Sequence, residues 1–265
     1  MATIALHSAA TGLRALSMQL DVISNNIANA NNDGFKSSRV NFEDLLYQTL
    51  QRPGVQNNNG DVRPIGLQIG LGTRISGTQL DMTQGSGIQT GRDLDVFIEG
   101  DGFFQVRYLD GELAYSRTGK FFVNANGQMV LNGSDGYLLE PGITIQSDAI
   151  KVDITTDGRV FQTLPGNPTP QEAGQIQLAR FVNPQGMVQI GSNLYQQTDA
   201  SGAAVLSNPG SQGAGTVRQG FVEASNVDPV KELVDLIKTQ RTFELNSQTI
   251  QAADQMLQQI SNLRR

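Results

Sequence analysis

Apolar residues recur along the first segment with alternating spacings of three and four, at Leu6, Ala9, Leu13, Leu16, Leu20, Ile23 and Ile27. This is a heptad seam over three heptads, a pattern that keeps one stripe of a helix facing a partner. The other face carries Ser8, Arg14, Gln19 and Asn25. Asn29, Asn31, Asn32, Asp33 and Gly34 follow. They favour turns and left-handed backbone, so the helix is predicted to end near Ala30. The far end of the chain mirrors this. Asn226 or Asp228 is the expected cap, Pro229 sits in the first turn, and no Gly or Pro interrupts the chain from there to Arg265. Leu236, Phe243, Ile250 and Met256 or Leu257 recur on one face, joined by Ala253 and Ile260 and led in by Val230, Leu233 and Ile237. At 1.5 Å per residue this helix spans roughly 50 Å, longer than a single small domain needs.

Between the two helices the helical period vanishes and short alternating runs take over: 95–99, 103–108, 120–124, 142–146, 158–161 and 174–182. Turn dipeptides punctuate them at hairpin spacing: Asp110-Gly111, Asn126-Gly127, Asn132-Gly133, Asp157-Gly158 and Gln185-Gly186. A compact β domain is therefore expected over 95–190. Residues 53–91 are rich in Gly, Asn and Gln with scattered β signals such as 67–71, and 196–216 is a second loop-rich passage of small polar residues. The predicted class is α+β: long N- and C-terminal helices forming a coiled-coil-like pair, with an all-β domain inserted between them. Three parts are expected. They are a discontinuous helical domain of 1–32 plus 226–265, an extended or β linker domain of 33–94 plus 191–225, and the central domain of 95–190. The helices lie at opposite chain ends with no other helical partner, so each is predicted to pack against the other and against further copies.

Composition narrows the function classes. The 265 residues are 38% hydrophobic and 17% charged, enough to bury a core. The formal charge is −6 and no cluster of Lys and Arg stands out, which argues against nucleic acid as a partner. The absence of cysteine removes disulfides, thiolate metal sites and thiol nucleophiles together. The N-terminus has neither the basic start nor the apolar run of a secretory signal, and no stretch reaches the roughly 18 apolar residues of a membrane span.

Candidate chemistry is sparse. The single histidine, His7, lies within the first heptad with no second histidine to share a metal, which also leaves no Ser-His-Asp triad. Asp93, Asp95 and Glu99 alternate with Leu94, Val96 and Ile98, the pattern of the solvent face of a half-buried strand; with Asp101 a carboxylate or calcium site is the alternative. Gly70-Leu71-Gly72 opens no helix, and Gly119-Lys120 is followed by Phe121, so neither makes a phosphate loop. No enzyme, cofactor, metal or small-molecule substrate is expected.

Four stretches nevertheless carry a resemblance. Residues 24–36, Ser-Asn-Asn-Ile-Ala-Asn-Ala-Asn-Asn-Asp-Gly-Phe-Lys, resemble the signature that closes the first helix in flagellar rod, hook and hook-associated proteins. Residues 95–105, and the Tyr-Ser-Arg-Thr-Gly-Lys run from 115, resemble strand entries of that family's central domain, while 219–228 and 239–246 resemble its C-terminal signature. Thr242-Phe243 departs from the small residue and Tyr common there. The segment 46–72 resembles an insertion of the distal rod members that the hook subunit generally lacks, with Tyr47, Gln51, Pro53, Gly54, Gly66, Leu67, Gly70 and Gly72 as its marks.

The resemblance implies a structural subunit of the distal rod, with a proximal rod subunit of similar size as the alternative and a hook-like or phage-tail-type subunit behind it. It implies helical self-polymerisation into a drive shaft in the periplasm, and type III export without a cleaved signal. The partners implied are proximal rod proteins, the hook protein, the peptidoglycan and outer-membrane ring proteins and the export apparatus. The seam and the signatures together point to an assembly interface of Leu6, Leu13, Leu16, Leu20, Ile23, Ile27, Asn25, Asn26, Asn29, Gly34 and Phe35 from the first end. Leu236, Gln240, Arg241, Phe243, Asn246, Ile250, Leu257 and Ile260 supply it from the second.

Overall fold

The structure is a computed structural model describing residues 2–54, 65–108, 111–133 and 135–263. Two long helices and a series of short strands make the fold α+β. Helix α1 spans Ala2–Ala28 and helix α2 spans Pro229–Leu263. The stop of α1 is built as the Asn-rich run implies: the Asn32 N–H donates to Asn29 O at 3.1 Å, and Gly34 adopts φ +73°. A Cβ at Gly34 would also stand 2.6 Å from Thr118 Oγ1, so both the backbone angle and the close approach require glycine. At the start of α2, Asp228 Oδ1 accepts from the N–H groups of Val230 (3.0 Å) and Lys231 (3.3 Å), leaving Asp228 as the cap instead of Asn226.

The described chain divides into two compact units. The helical unit comprises 1–28, 38–80 and 228–265, and the β unit comprises 29–37 and 81–227. In the helical unit, strands Ser38–Asp44 and Thr73–Leu80 pair antiparallel from Ser38↔Leu80 to Asp44↔Thr73, with an irregularity between Asn41 and Phe42. A second, smaller pair joins Tyr47–Gln51 to Leu67–Gly70.

The β unit is organised around a nine-stranded antiparallel sheet. Its main path runs Val188–Gly191, Leu194–Gln196, Leu113–Ser116, Phe103–Arg107, Leu138–Glu140, Met129–Leu131, Phe121–Val123. Leu178–Arg180 pairs with Phe103–Arg107 on one side and Val205–Ser207 on the other. Strands from 191–223 thus complete sheets begun within 95–190, as at Tyr195↔Tyr115 and Val217↔Ile98. A three-stranded sheet of Lys151–Ile154, Arg159–Leu164 and Asn167–Gln175 stands beside it. The core gathers Val96, Ile98, Phe104, Phe121, Leu139, Val160, Ile176 and Leu178, with Phe104 and Phe121 in edge-to-face contact at 5.1 Å.

Three local expectations differ from what forms. The run 142–146 is not a strand: Thr144 makes a single bridge to Gln128, while Ile143 and Ile145 point into the core and keep the chain down. The run 174–182 is broken after Gln175, because the buried Ile176 is pinned by its N–H to Gly158 O at 2.8 Å. Asp95 does not face solvent; it is fully buried, 3.8 Å from Arg92 Nη1, and the alternation misleads because Val96, Phe97 and Ile98 are all covered. Of the predicted turns, Asp110 lies outside the described residues.

Candidate assembly surfaces

The two helices pack side by side and antiparallel. Asn26 Nδ2 donates to Glu232 Oε1 at 3.3 Å near one end, and Gly12 opposes Asn246 further along, where a Cβ would come within 3.4 Å of Asn246 Nδ2. The most buried positions in the helices are Ala9, Ala15, Ile23, Asn26, Thr239 and Ala253. Small residues at the crossing let the backbones approach, and the seam leucines sit to either side. Leu6, Leu13, Leu16, Leu20 and Ile27 are half-buried, as are Leu236, Phe243, Asn246 and Ile250. Spacing of large apolar residues does not mark Ala15 or Thr239; Thr239 satisfies its own hydroxyl by donating to Asp235 O at 2.7 Å.

Several expected interface residues serve the chain's own packing. Asn26 clamps the strand entry, donating to Ser38 O at 2.8 Å and accepting from the Ser38 N–H at 3.0 Å. Gly34 and Phe35 are buried inside the β unit, and Asn29 is half-buried there. Asn25, Gln240 and Arg241 are exposed, and the side chain of Ile260 lies outside the described residues.

Helix α2 carries a second apolar stripe that α1 does not cover. Val230, Leu233, Val234, Ile237, Leu245 and Met256 are between 49% and 71% exposed and fall on the side of the helix away from Thr239 and Ala253. A row of large aliphatic side chains facing water along one helix marks an interaction surface.

Glu232 sits at the base of this helix among Asp228 and Asp235. Burial raises its pKa first, and the two neighbouring carboxylates push the same way against the Asn26 hydrogen bond and Lys231. A carboxyl whose folded pKa lies above its unfolded value binds its proton more tightly when folded, so stability rises as pH falls through that folded value. Glu232→Gln is expected to keep the Asn26 contact, leave the helical unit at least as stable at pH 7, and flatten its melting temperature across mildly acidic pH. Thermal unfolding followed by circular dichroism reads this, and a variant as pH-sensitive as the parent would refute it.

The pair Tyr47–Gln51 and Leu67–Gly70 forms a ribbon whose first strand is exposed along its whole length. The Tyr47 ring lies on Gly70, and Gly66 fits against Gln51 O and Pro53, each 2.7 Å from where a Cβ would stand. Gly72 fits under Thr11 of α1, and Gly54 turns the exposed chain beside Pro53 with φ +80°. Leu46 is 84% exposed and Ile65 80%. A two-stranded ribbon with both faces wet is marginal alone. Residues 55–64 of the segment lie outside the described residues.

In the β unit, three charged side chains meet out of water. Lys36 Nζ lies 2.5 Å from Glu223 Oε1, and Arg117 Nε lies 3.1 Å from Glu223 Oε2, with the three side chains 1%, 5% and 0% exposed for Lys36, Arg117 and Glu223. Lys36 also donates to Thr83 O at 2.7 Å, and Arg117 donates to Gly102 O at 2.5 Å and Gly100 O at 2.9 Å. Burial pulls both cations below their ordinary pKa values, and Glu223 acts in the opposite direction on each. Each residue lies in one of the quoted signatures, yet nothing local in any of them shows that they meet.

Three family profiles match the chain in order. They are the flagella basal body rod protein profile over residues 6–36, the flagellar hook protein FlgE/F/G D1 domain over 97–162, and the flagellar basal body rod FlgEFG protein C-terminal over 218–263. The flagellar basal-body rod protein FlgG of Caulobacter vibrioides is 47% identical, covering 98% of this chain and 99% of its own length. Those of Borreliella burgdorferi and Bacillus subtilis are 42% and 38% identical, each with 98% of both chains covered. Matched end to end at that identity, and carrying the helix stop, the central strands and the final helix in the same order, the chain belongs to the FlgG family of flagellar basal-body rod proteins.

Proposed function

We propose that the chain is a non-enzymatic structural subunit of the distal rod, polymerising helically into the rigid shaft that carries motor torque across the periplasm to the hook. The uncovered aliphatic stripe on α2 carries this proposal, since a subunit whose longest helix is only half-partnered is incomplete alone. Within one subunit the helices act as a coiled-coil-like pair, and the stripe takes the helices of further copies. A heterologous contact repeated by a rotation that does not close builds a filament of any length. Proximal rod proteins, the hook protein, the ring proteins and the type III export apparatus are the expected partners at its ends and along its path, and export proceeds without cleavage. A proximal rod subunit is the alternative within the same family.

The exposed ribbon is assigned to stiffness: docked on a neighbouring copy, it resists the sliding that lets a polymer bend. The Leu71 N–H donates to Leu46 O at 3.2 Å, so excising 47–70 and closing the gap with a short glycine turn leaves the rest of the helical unit intact. Negative-stain electron microscopy at rising protein concentration tests both points. The full chain is expected to give straight filaments, and chains lacking 1–30 or 229–265 none. The ribbon deletion is expected to give filaments that curve. Filaments from the truncated chains would refute the helical assembly, and straight ones from the deletion would refute the ribbon's role.

A further inference from the structure

The chain passes between its two units at 28/29, 37/38, 80/81 and 227/228. On the β-unit side, the segments next to these crossings are laced to one another. Gly34 N–H donates to Glu223 O at 2.8 Å, Asp81 N–H to Ser37 O at 2.8 Å, and Gly85 N–H to Glu223 Oε1 at 2.9 Å. The Asn226 side chain accepts from Ser37 N–H at 2.8 Å and donates to Asp81 O at 2.8 Å. Lys36 reaches Thr83 O, and Thr118 Oγ1 donates to Asp33 O at 3.0 Å. Arg117 then anchors the whole knot, through Glu223, to the backbone at Gly100 and Gly102 beside the main sheet.

We propose that the Lys36–Glu223–Arg117 cluster is a mechanical clasp, holding the crossing segments in register so that force entering the β unit along the chain reaches its sheet without peeling them apart. Its meaning for the flagellum rests on the rod assignment. Stability alone does not explain the cluster, because apolar residues of similar volume fill such a site as well or better than buried ions, whose desolvation offsets their attraction. Apolar residues cannot supply direction. Charge-assisted bonds at fixed geometry resist displacement along the bond, whereas an apolar contact slides at little cost. Glu223 Oε1 takes hydrogen bonds from Lys36 and Gly85 while Oε2 faces Arg117 as an ion pair, so Glu223 joins the segments that carry these three residues.

The chain has no cysteine, so cysteines placed at Val182 in the β unit and Leu245 in the helical unit, both well exposed, give unique handles for pulling single full-length molecules in an optical trap. The Lys36→Met/Arg117→Met/Glu223→Leu variant is expected to melt at or above the parent temperature yet open at about half the parent's force. Asn226→Ala, which keeps the ions and removes only the lacing side chain, is expected to lower the opening force less. A parent-like opening force in the triple variant overturns the clasp. Should that variant not fold, a parent-like opening force in Glu223→Gln, which keeps the side-chain volume and removes the shared charge, overturns it. The measurement is made on monomers, so failure to polymerise would sink the rod assignment and leave this result standing.

Discussion

Glu223→Gln is expected to cost the β unit about 3–5 kcal/mol, because it leaves Lys36 and Arg117 buried without a counter-charge. The glutamine can still accept the Gly85 N–H that Glu223 Oε1 now holds, so most of the loss is electrostatic and not a missing hydrogen bond. Denaturant unfolding followed by circular dichroism measures it, and a loss below about 1 kcal/mol would show that the two cations are satisfied without the carboxylate. The deficit has a pH signature. Burial already holds the folded Lys36 below its ordinary pKa, with the nearby Arg117 charge acting the same way, and Glu223 works against that depression. Without Glu223 the depression deepens. The unfolded chain then binds a proton that the folded chain releases, so stability recovers as pH rises through the folded Lys36 value. Replacing all three side chains by apolar ones removes both the loss and this alkaline recovery.

Val234→Glu and Ile237→Glu on α2 are expected to abolish filament growth while leaving the subunit folded. Both side chains are at least half exposed in the single chain, so each substitution should change subunit stability by no more than about 0.5 kcal/mol. In a filament the same positions would be buried against another copy. Losing a covered Val or Ile there removes about 1.5–3 kcal/mol per contact, a rise of about ten- to hundred-fold in critical concentration before the cost of burying the new carboxylate is added. Sedimentation of filaments against protein concentration reads this directly. Parent-like critical concentrations in both variants would mean that the stripe stays wet in the polymer, and the assembly surface would have to be sought elsewhere. Gln248→Ala, an exposed polar position on the same helix, serves as the control and should polymerise as the parent does.

Much of the helical architecture is legible in the sequence. The three-and-four spacing from Leu6 to Ile27, the Asn-rich stop and the Asp228-Pro229 start each encode structure among residues a few positions apart, where backbone preference and side-chain period act directly. The alternating runs around Val96, Phe103 and Phe121 were legible for the same reason. Alternation failed at Asp95 because it assumes one wet face, whereas every side chain from Asp95 to Ile98 is covered. The loop-like texture of 196–216 hid the short strand Val205–Ser207, whose partner Leu178–Arg180 lies far away in sequence.

What the sequence determined by itself was therefore the pair of helices, the Asn-rich stop of the first, the β character between them and the absence of thiol or paired-histidine chemistry. Only the tertiary structure decided that Lys36, Arg117 and Glu223 share one dry site, that Asn26 and Gly34 serve the chain's own packing, and that α2 keeps a second stripe uncovered. The division has a physical reason. Period, propensity and capping are properties of neighbours along the chain, whereas burial and ion pairing depend on which distant segments the fold brings together, and one-dimensional spacing carries almost no trace of that.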